Sequence, residues 1–199
     1  MGDAGVLGPE DRKLTVEQWE ALDDGRRELV DGVLQEEDVS SFRHDLVVSF
    51  VLESLGPWAR ERGGFTAAPG VRYALGPRRG RIPDASVFLA GRRPNAQGLV
   101  RVPPDIAIEV VSPSPRHERR DRVDKIRDYA AFGIARYWIL DPNARTLHVH
   151  ELGEDGRYRI VLAAADGRIA EVPGCTGLTL DLDALGAELD RLEADPDGA

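Results

Sequence analysis

One apolar stretch constrains the fold of this chain more than any other, residues 104–111 with the sequence Pro-Asp-Ile-Ala-Ile-Glu-Val-Val. Its short length and its β-branched residues are typical of a strand covered on both faces of a sheet. Glu109 interrupts this strand, and an ionised carboxylate there is costly unless a cation or hydrogen bonds compensate it. The stretch therefore predicts a covered strand of an α/β fold and a compensating partner for Glu109.

A second acid stands at the start of another apolar run. Asp84 follows Pro83 and precedes residues 85–89, whose β-branched and aromatic side chains favour a strand. Pro83 cannot donate a ladder hydrogen bond, so it suits the first residue of a strand. Carboxylates on adjacent strands, Asp84 and Glu109, would supply the oxygen ligands that Mg²⁺ takes. The alternative for Glu109 is an ion pair with one of the many arginines.

Several further motifs follow one another in a fixed order along the chain. They are residues 27–32, His44, Pro83-Asp84, residues 104–114, Asp121, Lys125, Tyr129, Gly133 and residues 137–142. With these motifs the chain resembles the bacterial putative restriction endonuclease domain family of the PD-(D/E)XK nuclease superfamily, over roughly residues 13–185. The resemblance implies a restriction-endonuclease-like core and a metal-dependent endonuclease that hydrolyses DNA, with Mg²⁺ (or Mn²⁺) as its cofactor.

The resemblance also implies roles for individual residues at the site. Asp84, Glu109 and the Val110 carbonyl would hold the metal. The superfamily signature places a lysine two residues after the glutamate, where this chain has Val111. The nearest candidate is Lys125 on the predicted following helix, where a compact ammonium could position water or stabilise charge. The alternative is that Lys125 is an ordinary solvated lysine.

Two further residues are candidates to assist at this site. Glu28 lies on a predicted strand and is either a third site carboxylate or a surface acid. His44 lies in the first turn of a predicted helix, where the helix dipole is expected to lower its pKa and favour neutral imidazole. The alternative for His44 is a capping or surface histidine. Lys125 is expected to pair with Asp121, which precedes it by one turn on the same helix face.

The remaining elements follow from local signals. A capping box of Thr15 and Gln18 predicts a short first helix, and Asp31-Gly32 predicts a two-residue hairpin turn. A second helix is expected from Ser40 or Ser41 to Gly63-Gly64, with a kink at Pro57. The other predicted elements are an extended segment 65–75 paired with the strand from Asp84, a turn at 78–81, a helix 117–132, strands 136–140, 146–151 and 158–163 in an antiparallel meander, a closing strand 178–180 and a helix 183–192. Together they predict a mixed central β-sheet flanked by helices.

Length and composition limit the classes of protein. With 199 residues and 42% hydrophobic content, the chain predicts one domain over residues 13–193, with flexible tails at 1–12 and 194–199. The sequence has no long apolar run and no signal-peptide pattern, which predicts a soluble cytoplasmic protein with no membrane partner. The single cysteine, Cys175, excludes an intrachain disulfide and is expected to be structural.

The distribution of charge along the chain bears on whether DNA can be its partner. The net charge is −9, but residues 181–199 carry seven acids and one arginine, whereas residues 71–122 carry eleven arginines and five acids. This local excess of positive charge is compatible with a DNA partner. One rival is a catalytically inactive module that binds nucleic acid or a protein partner, and another is a hydrolase of small phosphate esters. Tyr137-Trp138 and a sheet edge would allow a homodimer, although core packing explains the two aromatic residues equally well.

Overall fold

The computed structural model describes residues 13–22, 27–36, 40–112 and 120–194, except for the side chains of residues 120 and 121. Its helices are α1 (Val16–Glu20), α2 (Phe42–Glu61), α3 (Lys125–Phe132) and α4 (Leu182–Ala194), and a turn of π-helix (Arg120–Asp124) leads into α3. Its strands are β1 (Arg27–Val30), β2 (Val33–Glu36), β3 (Phe65–Ala67), β4 (Tyr73–Gly76), β5 (Arg79–Arg81), β6 (Ala85–Phe88), β7 (Ile106–Val110), β8 (Arg136–Asp141), β9 (Thr146–Leu152), β10 (Tyr158–Ala164), β11 (Arg168–Ile169) and β12 (Leu180–Asp181).

The central sheet has six strands in the order β10-β9-β8-β7-β6-β3. Strands β7 and β8 run parallel, and every other neighbouring pair in this sheet is antiparallel. Strands β8, β9 and β10 form the antiparallel meander expected from the sequence. The predicted α/β class, with a mixed central sheet and flanking helices, is confirmed.

Helices cover the two faces of this sheet. Alternate residues of β7 point to opposite sides, because successive side chains of a strand alternate. Ile106, Ile108 and Val110 join the apolar cluster beneath α2 and α4, whereas Ala107 and Val111 pack on the face covered by α3. All five residues of β7 are buried, as the apolar run predicts. Glu109 therefore shares its face of the sheet with α3.

The local signals at the N-terminal half produce the expected elements. Thr15 caps α1, and Gln18 completes the capping box. Asp31 and Gly32 both adopt positive φ angles, 52° and 79°, which is the geometry of a type I′ turn between β1 and β2. Ser41 caps α2 by accepting a hydrogen bond from the His44 amide. These features confirm the predicted capping box, hairpin and helix start.

Helix α2 contains Pro57, at which the sequence predicts a kink, and the kink stays a prediction. The helix is assigned as one helix from Phe42 to Glu61, with Pro57 inside it. Proline removes one backbone hydrogen bond from a helix interior. On either side of Pro57, Leu55 and Trp58 are buried in the core, and this packing holds the last turns of the helix against the sheet. Tertiary burial thus keeps the helix continuous past the proline.

A second sheet was missed from the sequence. It has the order β2-β1-β5-β4, and β5 occupies part of the segment 78–81 that was expected to be a turn. Within the segment 65–75, β3 pairs with β6 as predicted, whereas β4 pairs with β5, so the predicted pairing was correct for β3 alone. The two arginines of β5, Arg79 and Arg81, are not typical of a strand, so β5 was not predicted. The expected closing strand 178–180 corresponds to β12, which pairs with β11 in a separate two-stranded sheet.

Several predictions about buried and terminal residues can be compared with the structure. Tyr137 and Trp138 are fully buried, which places them in the core of this chain, and the homodimer stays a prediction. Cys175 is buried, and this burial raises the pKa of its thiol to about 11, in agreement with a structural role.

The predicted tails lie outside the described residues, apart from Ala194 at the end of α4. None of the helices in the described ranges combines the length and the apolar character that crossing a membrane requires.

The contact between the second sheet and α1 predicts a strong effect of one methyl group. A Cβ atom at Gly80 would lie 2.2 Å from the Trp19 ring, which is fully buried. We expect Gly80→Ala to lower the free energy of unfolding by about 1–3 kcal/mol, because the ring or the strand must shift. Gly186→Ala in α4 is the matched control, since its Cβ meets nothing within 4 Å. The control should gain about 0.5–1 kcal/mol from helix propensity. Urea denaturation followed by tryptophan fluorescence measures both changes, and equal effects of the two variants would contradict the close contact.

Candidate active site

The central sheet places the two predicted metal ligands next to each other. Strand β6 pairs with β7 so that Ala85 faces Ile108, and Asp84 directly precedes this pair. The Val110 amide donates a hydrogen bond of 2.7 Å to Asp84 Oδ2. Asp84 thus lies level with Glu109 on the neighbouring strand. The strand register, together with this one backbone hydrogen bond, brings the two acids to the same end of the sheet.

Glu109 is a buried carboxylate with a hydrogen-bond donor on each of its oxygens. Its side chain is 2% exposed. Lys125 Nζ donates to Oε2 at 2.7 Å, and the Tyr129 hydroxyl donates to Oε1 at 2.5 Å. Burial, together with the charges of Glu109 and Glu28, raises the pKa of Tyr129 well above its usual value. The Tyr129 hydroxyl therefore remains a donor to Glu109 at neutral pH.

Lys125 enters the site from α3. It is the first residue of that helix, directly after the π-helical turn. Its side chain is 2% exposed, and Nζ lies 3.6 Å from Glu28 Oε1 in addition to its contact with Glu109. The interpretation of Lys125 as a solvated lysine was therefore wrong. Val111, which stands at the signature position for lysine, instead packs in an apolar cluster with Tyr129 and Ile139.

Glu28 is buried within a network of ion pairs that reaches the site from the second sheet. It is fully buried, so the alternative of a surface acid was wrong. Glu28 Oε2 accepts a hydrogen bond of 2.6 Å from Arg81, and Oε1 accepts one of 3.1 Å from the Ile82 amide. Arg81 also donates to Asp128 of α3. The carboxylate of Glu28 thus lies between Lys125 and Arg81.

His44 lies against Asp84 at the start of α2. Its Nε2 is 3.3 Å from Asp84 Oδ2, and its Nδ1 is 3.1 Å from Asp45 Oδ1. Burial favours the neutral ring, but the hydrogen bonds and charges of Asp84 and Asp45 outweigh it and raise the pKa of His44 to about 9. The expected decrease in this pKa was wrong, because two carboxylates act on the imidazole more strongly than the helix dipole. His44 is therefore an imidazolium at neutral pH.

The donor set at the site fits a hard divalent cation. Among the described residues, no group of three or more histidine, cysteine, aspartate and glutamate side chains is arranged to hold a metal ion. Mg²⁺, however, usually takes one or two carboxylates and completes its shell with water and substrate phosphate. Asp84 and Glu109 provide two such carboxylates. Asp84, at 19% exposure, is the more accessible of the two.

The structure brings together the residues that were predicted to bind the metal or to act in catalysis. Asp84, Glu109 and Val110 lie at the ends of adjacent strands, with Lys125, Glu28 and His44 around them. Their roles in catalysis or metal binding remain predictions. The side chain of Asp121, expected to pair with Lys125, lies outside the described residues, and so does His117, which was given no role.

Sequence reasoning missed three contributors to this site. Tyr129 was recognised only as a motif residue on the face of Lys125, and its hydrogen bond to Glu109 was not foreseen. Arg81 was placed in the predicted turn 78–81 without a role at the site, and Asp128 was not considered. The spacing of Asp128, three residues after Lys125, was one available signal, because residues at this spacing lie on neighbouring turns of one helix face. Arg81 gave no such signal, because it stands in a run of arginines.

Comparison with known proteins agrees with the nuclease-like fold. A solved structure titled as a putative nuclease belonging to DUF820, from Anabaena variabilis ATCC 29413, superposes with a TM-score of 0.70. It is 18% identical, and the match covers 88% of this chain and 99% of that one, so the likeness shows a shared fold. Residues 15–183 match the family model Uma2, described as "Putative restriction endonuclease", and the chain belongs to this family. The resemblance expected from the sequence is thereby confirmed. No curated protein matches the chain.

The pairing of His44 with Asp84 predicts a measurable titration. The pKa of His44 is raised from 6.5 to about 9, so the stabilisation from its pairing is complete below pH 6.5 and is lost as the pH rises towards 9. Ring ¹⁵N NMR of chelator-treated protein should show His44 titrating near the upper value, and Asp84→Asn should lower its pKa. His150 is the internal control, because burial lowers its pKa. A His44 titration that is the same in both proteins would contradict the pairing.

Proposed function

We propose that this protein is a metal-dependent endonuclease that hydrolyses phosphodiester bonds of DNA. One observation carries the proposal: two carboxylates, Asp84 and Glu109, lie level on adjacent strands, and a buried ammonium, Lys125 Nζ, is 2.7 Å from Glu109. This combination supplies oxygen ligands for a hard cation and a fixed positive charge in one place. Membership of a family described as restriction endonucleases supports a nuclease.

A divalent cation completes the proposed site. Asp84, Glu109 and the Val110 carbonyl would hold Mg²⁺ or Mn²⁺. The bound ion would polarise the phosphoryl group and lower the pKa of a water molecule to generate the nucleophile. It would also neutralise the two acids, which explains how both are tolerated at the end of a covered sheet.

Residues of the chain itself would prepare this site for catalysis. The Lys125 ammonium would position the attacking water or stabilise the charge that develops on the phosphoryl oxygens. Tyr129 fixes the orientation of Glu109 through its hydrogen bond of 2.5 Å. His44, held 3.3 Å from Asp84 Oδ2, orients that carboxylate and adds a positive charge beside it. Glu28 is a second buried carboxylate next to Lys125, with Oε1 3.6 Å from Nζ.

The distribution of arginine supports a polyanionic substrate. Residues 71–122, which surround Asp84 and Glu109 in sequence, carry eleven arginines and five acids. Arg78, Arg93 and Arg101 are exposed in this segment. Arginine side chains near a site of phosphodiester hydrolysis can contact backbone phosphates on either side of the cleaved bond. DNA is therefore the proposed substrate, despite the overall negative charge.

The function can be tested with Mn²⁺ binding and plasmid nicking in parallel. Calorimetric titration of Mn²⁺ should show binding to the wild type that is lost in Asp84→Asn, because this variant removes a charged ligand. Plasmid nicking should disappear in the same variant. Lys125→Met should keep metal binding but lower the nicking rate by about 10²–10³-fold, the usual loss when one charge-stabilising donor is removed. Asp155→Asn is the matched control, since this acid lies on the exposed turn between β9 and β10.

Other outcomes identify the rival functions. Metal binding without nicking, together with hydrolysis of a small phosphate ester, would replace the proposed substrate. DNA binding that needs no metal and gives no cleavage would indicate the inactive module. Nicking that survives in Asp84→Asn and Lys125→Met would show that this site is not the catalytic centre.

A further inference from the structure

Arg81 is a buried cation whose guanidinium joins two acids from different elements. Its side chain is 1% exposed and belongs to β5 of the second sheet. One terminal nitrogen donates to Glu28 Oε2 at 2.6 Å. The other terminal nitrogen and Nε both donate to Asp128 Oδ2, at 2.5 Å and 2.8 Å. A guanidinium presents its donors in a rigid planar fork, so this geometry fixes the two carboxylates relative to each other.

Both acids held by Arg81 are connected to Lys125. Glu28 Oε1 lies 3.6 Å from Lys125 Nζ. Asp128 follows Lys125 by three residues in α3 and therefore lies one turn along the same helix face. Through Asp128, Arg81 thus anchors α3, the helix that carries Lys125. Through Glu28, it fixes the carboxylate that lies next to the Lys125 ammonium.

The electrostatic role of Arg81 follows from the burial of Glu28. Glu28 is fully buried and has the guanidinium at 2.6 Å and the ammonium of Lys125 at 3.6 Å. If the nearer cation were removed, the carboxylate would attract the farther one more strongly, because a buried charge requires compensation. Lys125 would then move towards Glu28 and away from Glu109. With Arg81 in place, Lys125 keeps its shorter contact with Glu109.

Arg81 is also linked to the other acid of the site through the backbone. It ends β5, and Asp84 follows it by three residues. The amide of the intervening Ile82 donates to Glu28. The Glu28 carboxylate therefore contacts Lys125, Arg81 and the backbone segment that leads to Asp84. These contacts connect the ammonium and the proposed metal ligand in a single network.

We propose that Arg81 is a positioning residue of the active site, which holds Lys125 against Glu109 by fixing Glu28 and Asp128. The assignment rests on the proposed nuclease function. Because Arg81 is buried, it acts through these residues and makes no contact with DNA. Its loss should consequently change the chemical step and leave the recognition of DNA as it was.

The kinetic test compares Arg81→Lys with Arg79→Lys. Lysine keeps the positive charge but cannot bridge two carboxylates as a fork does. We expect Arg81→Lys to lower kcat by about 10–100-fold, the usual effect of losing a residue that orients a ligand of the site. KM for DNA should stay at the wild-type value. Arg79 also pairs with Asp128 but its other partner is the exposed Asp31, so Arg79→Lys should lower kcat by less than about fivefold.

A second readout follows Lys125 without depending on activity. Lys13 and Lys125 are the only lysines of the chain, so ¹⁵Nζ-lysine labelling gives two side-chain signals in the wild type and a third, from the new lysine, in Arg81→Lys or Arg79→Lys. Lys13→Arg and Lys125→Met, each made in every background, assign the signals. We expect the Lys125 signal to shift in Arg81→Lys and to keep its position in Arg79→Lys. If Arg81→Lys does not fold, Asp128→Asn tests the same connection, because it removes the charge that accepts two of the Arg81 hydrogen bonds while preserving side-chain shape.

The two readouts separate this proposal from the proposed function. An inactive wild type would reject the nuclease, and the Lys125 signal would still test the role of Arg81. A Lys125 signal that stays unchanged in Arg81→Lys, or in Asp128→Asn where that variant replaces it, would overturn the positioning role. Equal losses of kcat in Arg81→Lys and Arg79→Lys would also overturn it, because the effect would then come from anchoring α3 alone. A rise in KM without a change in kcat would assign Arg81 to DNA binding and would equally reject the proposal.

Discussion

The buried ion pair between Glu109 and Lys125 is the interaction on which the arrangement of this protein depends. Both side chains are 2% exposed, and their charged atoms are 2.7 Å apart. Removing one partner of such a pair typically costs about 3–5 kcal/mol, because the remaining charge stays buried without compensation. The fold can bury the middle of β7 only if α3 lies across that face of the sheet. The position of α3 and the burial of Glu109 therefore depend on each other.

This constraint extends to the second sheet. A single lysine faces two buried acids, Glu109 and Glu28, and one positive charge cannot compensate both. Arg81 supplies the additional positive charge, and Asp128 completes its hydrogen bonding. Since Glu28 lies on β1 and Arg81 on β5, these two strands must pair next to α3. The second sheet is thus tied to α3 by charge, while its apolar residues pack against α1.

Much of this architecture could be predicted from the sequence because its signals are local. A strand covered on both faces can be identified from an apolar run of about eight residues, and Glu109 stands out because it is a charged residue within that run. Capping residues and the Asp31-Gly32 turn act over two to four residues, so these elements were identified with correct starts. Lys125 could be singled out because the chain otherwise uses arginine at all but one of its basic positions.

The predictions that failed depended on partners that are distant in sequence. Strand β5 reads as a charged turn, and only its ion pairs with Glu28 and Asp128, 53 and 47 residues away, make the burial of Arg81 possible. His44 was assigned a lowered pKa from its place in the helix, but Asp84, which approaches it from β6, reverses the direction. Burial of a charged residue is decided by such partners, and a single sequence does not reveal them.

Under the proposed function, Lys125 on α3 takes the role that the superfamily signature gives to a lysine on β7, and this position explains why the site needs a supporting network. A lysine at position 111 would share a strand with Glu109, and the strand geometry alone would fix the spacing of the two side chains. Lys125 belongs to a different element, so its distance from Glu109 depends on how α3 is held against the sheet. The link from Asp128 through Arg81 to Glu28 provides this restraint at the first turn of the helix. Val111 is free to pack against Tyr129 and Ile139, and this apolar contact stabilises the same interface of helix and sheet. In this family member, the position of one ammonium thus depends on the packing of two sheets and a helix.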